Sequence, residues 1–355
     1  MTKNLTDNKM YMEDVKNVAS LNLSWNKFQD KTVLLSGGRG LLGSFLVDVL
    51  MYKNVFSNLN CKFVLLGRNK EQLEKRFDNY LNSDLIRFIE MDINEADEIK
   101  SDEHLDYVLH LASNTHPVSY ATDPIGTIMT NVLGLDKMLN LASKNKGSRF
   151  IFASSNEIYG ENRRDVELFD EKYCGYIDSN TLRAGYPESK RCGEALCQAY
   201  ISQKNVDAVI CRFTRSYGPT MLLSDTKAIS QFLKKGIDGE DIVLKSKGNQ
   251  YYSYTYMADA ILGLLYILLD GKTGEAYNVS DIDSDIRLKD LAEIIASECG
   301  RKVVVELPDE IEEKGYSKAT IARLDGSKLR QLGWEPFYNI KSGIKRTLDI
   351  MRAEN

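Results

Sequence analysis

The stretch TVLLSGGRGLLGSFLVDVLMY, residues 32–52, restricts the fold of this chain more than any other. TVLLS (32–36) is a short apolar run with strand character, and LLGSFLVDVLMY (41–52) has helical periodicity. Between them, Gly37, Gly40 and Gly43 fit GxxGxxG, and Gly38, Gly40 and Gly43 also fit GxGxxG. In a strand–turn–helix setting such glycines allow a tight turn and let the backbone approach a pyrophosphate closely. The helix N-terminus beyond the turn offers unpaired N–H groups and a favourable dipole. The segment therefore predicts the first βαβ unit of a dinucleotide-binding fold.

The rhythm continues. Strands are expected at 62–67, 86–92, 106–113, 149–155 and 207–213, with helices at 69–81, 123–144 and 185–203 between them. Buried strands alternating with helices predict an α/β fold, a Rossmann-type doubly wound parallel sheet. After Gly218 the pattern changes to helices near 225–236, 257–269, 287–299 and 341–353, mixed with short strands near 242–244, 252–256 and 302–306. The expected organisation is an N-terminal arm (1–30), a dinucleotide-binding domain (31–218, with later returns near 250–280) and a smaller C-terminal α/β substrate lobe (219–355).

Charge and composition remove several classes. A net charge of −5 argues against a nucleic-acid partner. The longest apolar run, AILGLLYILL (260–269), is too short to span a membrane, which takes about 18 residues or more. The polar, acidic N-terminus does not resemble a secretory signal, and six cysteines without CxxC spacing read as free thiols, so a cytoplasmic location is expected. His104, His110 and His116 form no metal-ligand pattern, and His110, in an apolar strand, reads as a packed core residue.

The second strand ends LLGRNK. Where NAD binders place an acid for the ribose 2′-hydroxyl, this chain has Gly67 followed by Arg68. A cation there can pair with a 2′-phosphate, which leans toward NADP; the alternative is a solvated arginine, with NAD held by other contacts. Asp92, closing the third strand, is a candidate for the adenine edge. The fifth strand ends in Ser154 and Ser155, and RAGYPESKR (183–191) places Tyr186 and Lys190 on one helical face. A free tyrosine, with a pKa near ~10, is a poor base at neutral pH. A neighbouring ammonium and an oxidised nicotinamide would each favour its phenolate, which could then take a proton from a sugar hydroxyl.

Together these segments resemble the extended short-chain dehydrogenase/reductases, in the nucleotide-sugar epimerase/dehydratase group. The likeness runs through SGGRGLLGS, HLAS, TNVLG, ASSNEIYG, YPESK, RFTRSYGP, YTYMADA and LGWEP, over about residues 32–335. It implies a catalytic triad of Ser155, Tyr186 and Lys190, with Ser154 adjacent and Glu157 orienting the sugar or handling a second proton. It implies cofactor contacts at Gly37, Gly40, Leu41, Leu42, Gly43, Arg68, Asp92, Ile93, Leu111, Ala112, Ser113, Asn131, Tyr186 and Lys190. The substrate it implies is a nucleotide-diphosphate sugar, oxidised at C4. In this family the 123–144 helix and the Tyr186 helix often form a homodimer interface.

The stretch after Ser155 separates subgroups. Family 4,6-dehydratases carry Asp-Glu there; this chain has Asn156-Glu157, which disfavours dehydration and is more similar to UDP-glucuronate decarboxylases. Arg215 stands where asparagine is common, Thr220 where arginine is usual, and Tyr252 where a phosphate-binding arginine is common. Asn156, Arg183, Arg215 and Lys227 are the candidate substrate-binding residues. The reading is an epimerase or decarboxylase working through a 4-keto sugar. An NADPH-dependent 4-ketoreductase and a 4,6-dehydratase are the enzymatic alternatives. A dinucleotide-binding sensor is the non-enzymatic one, though it would need none of Tyr186, Lys190 and Ser155.

Overall fold

The computed structural model describes residues 4–115, 117–222, 224–306 and 320–354; His116 lies outside them. Seven parallel strands form the main sheet: β1 (Thr32–Ser36), β2 (Lys62–Gly67), β3 (Ile86–Glu90), β4 (Tyr107–His110), β5 (Arg149–Ser155), β6 (Asp207–Phe213) and, late in the chain, β10 (Ala276–Val279). Their order is β3-β2-β1-β4-β5-β6-β10. Strand order reverses beside β1, the place where doubly wound sheets take ligands at the carboxyl ends of their strands.

Both faces of the sheet are covered, which is why its strands read as near-continuous apolar runs. Val33 and Leu35 pack on one side with Phe45, Leu46 and Val49 of α2 (Leu41–Ser57) and with Ile261 and Leu265 of α9 (Met257–Asp270). Leu34 packs on the other with Leu135, Met138 and Leu139 of α6 (Leu135–Lys144) and Cys197 of α7 (Gly185–Lys204). The N-terminal helix α1 (Lys9–Ala19) is fixed into this body. Asn8 caps it, accepting from the backbone N–H groups of Met10 and Tyr11 at 3.0 and 3.2 Å. Its buried Asp14 accepts from the hydroxyls of Tyr256 and Tyr338 at 2.7 and 2.5 Å and pairs with Arg346 at 2.6 Å.

Two helices differ from their sequence reading. The segment expected at 69–81 is α3 (Lys70–Arg76), which breaks at Phe77 into a 3₁₀ turn, Asp78–Tyr80. After the short α4 (Pro117–Thr122), the helix expected at 123–144 is α5 (Pro124–Met129), one π turn (Thr130–Gly134) and α6. The wide turn carries the fully buried Asn131. A hydrophobic pattern does not register one extra residue in one turn, so the sequence reads straight through it.

The rest of the chain builds a second sheet from β7 (Arg215–Tyr217), β9 (Tyr251–Tyr256), β11 (Asp285–Arg287) and β13 (Ile321–Ala322), with β9 paired to the other three. A two-stranded sheet pairs β8 (Ile242–Leu244) with β12 (Val303–Val305), beside α8 (Ala228–Ile237) and α10 (Leu288–Cys299). LGWEP docks on α9: the fully buried Trp334 donates Nε1–H to the Asp259 carbonyl at 3.0 Å, and the Asp259 carboxylate accepts from Phe337 and Tyr338 N–H. No described helix is long and apolar enough to cross a membrane.

Candidate active site

The glycine turn lies at the strand-order reversal. Gly37 has φ +81°, the left-handed region, and a Cβ on it would meet the Ala112 nitrogen at 2.7 Å. A Cβ on Gly43 would strike the Gly37 carbonyl oxygen and lie 3.0 Å from Gly38 Cα. Gly40, at the N-cap of α2, has no side chain to occupy the first N–H groups of the helix, which Leu41 and Leu42 open. Leu111, Ala112 and Ser113 follow β4 on the opposite wall, where Leu111 N–H bonds the Ser36 carbonyl at 3.2 Å. Asp92 follows β3, its carboxylate accepting from Asn94 N–H at 2.9 Å, and Ile93 packs under Gly134. The expected cofactor residues thus gather along the carboxyl edge of β1 to β4. A narrow glycine cradle facing an uncapped helix start fits a dinucleotide pyrophosphate.

At the same carboxyl edge β5 ends in Ser155, whose extended backbone starts the 3₁₀ turn Asn156–Tyr159 and whose hydroxyl accepts from Glu157 N–H at 3.2 Å. Tyr186 and Lys190 come from the first turns of α7. The Ser155 hydroxyl is a polar neighbour of the Tyr186 phenol and favours its charged form. Lys190 Nζ donates to the Ala153 carbonyl at 2.7 Å and sits 5.8 Å from the centre of the Tyr186 ring. A polar chain supports the helix from below. Ser113 donates to Asn131 at 2.9 Å, Asn131 to the Ser189 hydroxyl at 3.0 Å, and Ser189 to the Tyr186 carbonyl at 2.8 Å. Asn131 is therefore placed as a support for α7. His110 is packed and bonded through both ring nitrogens, to Ser36 and to the Thr130 carbonyl, and burial lowers its pKa to about 3.

Two of the expected residues stand apart from the Tyr186 cluster. Ser154, expected beside the reacting group, points to the opposite face, because neighbouring strand residues alternate. Its hydroxyl donates to Glu194 at 2.5 Å, and Glu194 holds Arg212. Lys227 is not drawn into the Tyr186 cluster; it pairs with Asp225 at 2.9 Å before α8. Glu157 and Arg183, read separately in the sequence, form one ion pair at 2.6 Å. Arg215 lies face-on to the Tyr252 ring, 3.4 Å from its centre. Sequence reasoning missed Tyr120 of α4, which stacks on Tyr186 with ring centres 4.8 Å apart and carries Arg183 on it at 4.5 Å. Its only signal is an aromatic in a loop, HPVSYATDP, with no motif around it.

Burial dominates the electrostatics. It pushes the Tyr186 phenol above its ordinary range, and Glu157 adds to the rise; the Ser155 hydroxyl, the Arg183 charge and the Tyr120 hydroxyl oppose it. Burial also lowers Lys190, from 10.5 to about 7, against the pull of Glu194. Below pH 7 the folded chain must bury an ammonium, while the unfolded chain keeps its proton up to about 10.5, so this penalty fades as pH rises between the two. Lys190→Met is therefore expected to melt several degrees above the parent at pH 6, with the gap closing toward pH 10. A gap independent of pH in parallel melts would refute the buried-charge account.

Among the described residues, no group of His, Cys, Asp and Glu is placed to hold a metal ion. The profile of the NAD dependent epimerase/dehydratase family matches residues 33–280. UDP-glucuronic acid decarboxylase 3 of Arabidopsis thaliana is 30% identical over 317 residues, covering 88% of this chain and 86% of the relative. UDP-glucuronic acid decarboxylase 1 of Xenopus tropicalis is 28% identical over 324 residues, 91% of this chain and 73% of the relative. In fold, the chain is similar to UDP-glucuronic acid 4-epimerase from Bacillus cereus, with TM-score 0.77 and 20% identity over 91% of this chain and 99% of that one. It is also similar to the dTDP-glucose 4,6-dehydratase DesIV from Streptomyces venezuelae, with TM-score 0.75 and 22% identity over 91% and 97%.

Proposed function

The chain belongs to the NAD dependent epimerase/dehydratase family and is an NAD(H)-using nucleotide-sugar enzyme, and within that family we propose that it oxidises C4 of a UDP-sugar to a 4-keto intermediate, then epimerises or decarboxylates it. The observation carrying this reading is the convergence of Tyr186, the Ser155 hydroxyl and Lys190, one turn from Tyr186 on α7, beside the glycine cradle. The backbone of Gly37, Gly40, Leu41, Leu42 and Gly43 would hold the pyrophosphate. When bound, the oxidised dinucleotide supplies the acceptor for the C4 hydride and later returns it.

Tyr186 takes the C4-hydroxyl proton while Ser155 donates a hydrogen bond to the same oxygen. Lys190, in its charged form, favours the phenolate. The resulting carbonyl acidifies C5–H and can accept the electron pair left when a C6 carboxylate departs as CO₂. If the carboxylate is retained, reduction from the other face yields the 4-epimer. Asn156 has no acidic proton to give a leaving C6 hydroxyl, so elimination is not served. The test is a panel of UDP-, dTDP-, GDP- and CDP-sugars, uronates included, with products read by NMR. Conversion of none, with cofactor bound, would sink the reading.

For the cofactor's finer identity, NADP is supported by two arginines at one place. Pairing of Ser36 with Leu66 sets the glycine turn beside the end of β2. The Arg39 guanidinium is lowered by burial and then by the charge of Arg68, which places the two cations near each other. Arg39→Ala and Arg68→Ala are each expected to weaken NADP about tenfold, one charge-assisted bond's worth, and to leave NAD little changed. Equal losses for both dinucleotides in titrations would remove the preference. The same pair supports the second reading, a reductase that consumes NADPH with a 4-keto sugar. Free thiols at all six cysteines suit a cytoplasmic enzyme. Exposed Ile125, Met129 and Leu133, four apart on the α5–α6 face, suit a homodimer.

A further inference from the structure

Two buried hydrogen-bond donors near Tyr186 have no acceptor among the described residues: Asn156 Nδ2 and Arg215 Nη1. Asn156 is only 5% exposed. Both side chains line one pocket of about 230 Å³, together with Glu157, Arg183, Tyr176 and Pro187. Arg183, the pocket's other guanidinium, is already paired with Glu157 at 2.6 Å. Arg215 has no carboxylate within ion-pair distance among the described residues. Instead its guanidinium lies flat on Tyr252, 3.4 Å from the ring centre, in a stack that crosses from β7 to β9. Stacking fixes the plane of an arginine and leaves its edge N–H groups free to bond.

A half-buried cation whose Nη1 donor is buried and unmet, beside a buried amide with another such donor, is costly unless an acceptor completes it. Resting on the 4-keto nucleotide-sugar reading, we infer that Arg215 and Asn156 bind the C6 carboxylate of a nucleotide-diphosphate hexuronate, and that this cradle sets substrate choice.

Position argues for the carboxylate over the diphosphate. Asn156 directly follows Ser155, whose hydroxyl meets Tyr186, and consecutive Cα atoms are ~3.8 Å apart. A donor on residue 156 therefore reaches a substituent next to the atom that Tyr186 deprotonates. C4 of a pyranose is flanked by C3 and C5, whereas C1, which bears the diphosphate, lies across the ring. A C3 hydroxyl needs no full positive charge. A C6 carboxylate supplies one negative charge and two oxygens, one for each donor. The CH₂OH of a neutral hexose would leave the guanidinium unpaired.

Calorimetric titration of the full chain in saturating cofactor, with UDP, UDP-glucose and UDP-glucuronate, tests this. The wild type should prefer UDP-glucuronate to UDP-glucose by about tenfold or more, the worth of one charge-assisted bond. Arg215→Met, which keeps an apolar stem on Tyr252, should erase that preference and leave UDP and UDP-glucose unchanged. Arg215→Lys should restore part of it. Asn156→Asp, nearly isosteric and negative, should weaken UDP-glucuronate more than UDP-glucose, and serves if the arginine variants fail to fold. Equal weakening of all three ligands, UDP included, would assign Arg215 to the diphosphate and overturn the inference. An undiminished uronate preference in Arg215→Met or Asn156→Asp would also overturn it, with the 4-keto reading intact. A wild type that binds none of the three would overturn that reading, and this inference with it.

Discussion

Tyr186→Phe lowers kcat by about 10²–10⁴, the range for losing a positioned acid/base group, and leaves dinucleotide binding essentially intact. The substitution removes one oxygen. The ring keeps its stack on Tyr120 and stays buried in the first turn of α7. Ser155 still accepts from Glu157 N–H, so the turn after β5 keeps its geometry. What disappears is the phenol oxygen beside the strand-end hydroxyl, and with it the group that takes the C4 proton. Tyr120 does not replace it. Burial raises its phenol well above the ordinary range, and the Glu157 charge raises it further. The check pairs steady-state turnover with a fluorescence titration of the dinucleotide. Turnover at the parent rate would discard Tyr186 as the base; lost turnover with lost cofactor binding would show a structural defect instead.

The strand–turn–helix start was readable because both of its signals are local: apolar runs set the elements, and glycines mark where a Cβ would collide. The spacing of Tyr186 and Lys190 was readable for the same reason, being one turn of one helix. Three features were not. The π turn at Asn131 changes hydrogen-bond pitch without changing the apolar pattern. Tyr120 reaches Tyr186 from a six-residue helix after β4, and no periodicity marks so short an element. Arg215 and Tyr252 meet only because β7 pairs with β9, and strands of three and six residues carry no readable register. The sign of the electrostatics was also hidden. Sequence logic set an ammonium beside a phenol and expected the phenolate to be favoured. In the fold both groups are buried, desolvation penalises each charged form, and Lys190 falls toward neutrality while the phenol rises. Burial depth is a tertiary quantity, and four residues of spacing do not encode it.

Gly43→Ala is the smallest change expected to disable the cofactor cradle. Its added methyl points at the Gly37 carbonyl oxygen and at Gly38 Cα, both backbone atoms, so no side chain can rotate away. Relief requires α2 to move off the turn, yet α2 is wedged by Phe45, Leu46 and Val49 against the sheet and by α1 behind it. Overpacking of this kind costs about 1–3 kcal/mol, and a strain near the top of that range corresponds to about a hundredfold in affinity when it falls on the binding geometry. The uncapped N–H groups at Leu41 and Leu42 would shift with the helix, away from the position the pyrophosphate needs. Gly40→Ala is the matched control: its Cβ would come no closer than 3.2 Å to the Gly37 oxygen, at a φ of −69° that any residue adopts. Dinucleotide titrations should therefore show a loss of about a hundredfold for Gly43→Ala and a much smaller one for Gly40→Ala, with thermal melts confirming that both fold. Parent-like affinity in Gly43→Ala would mean that the turn does not grip the pyrophosphate, and the sheet edge beside β1 would lose its assignment.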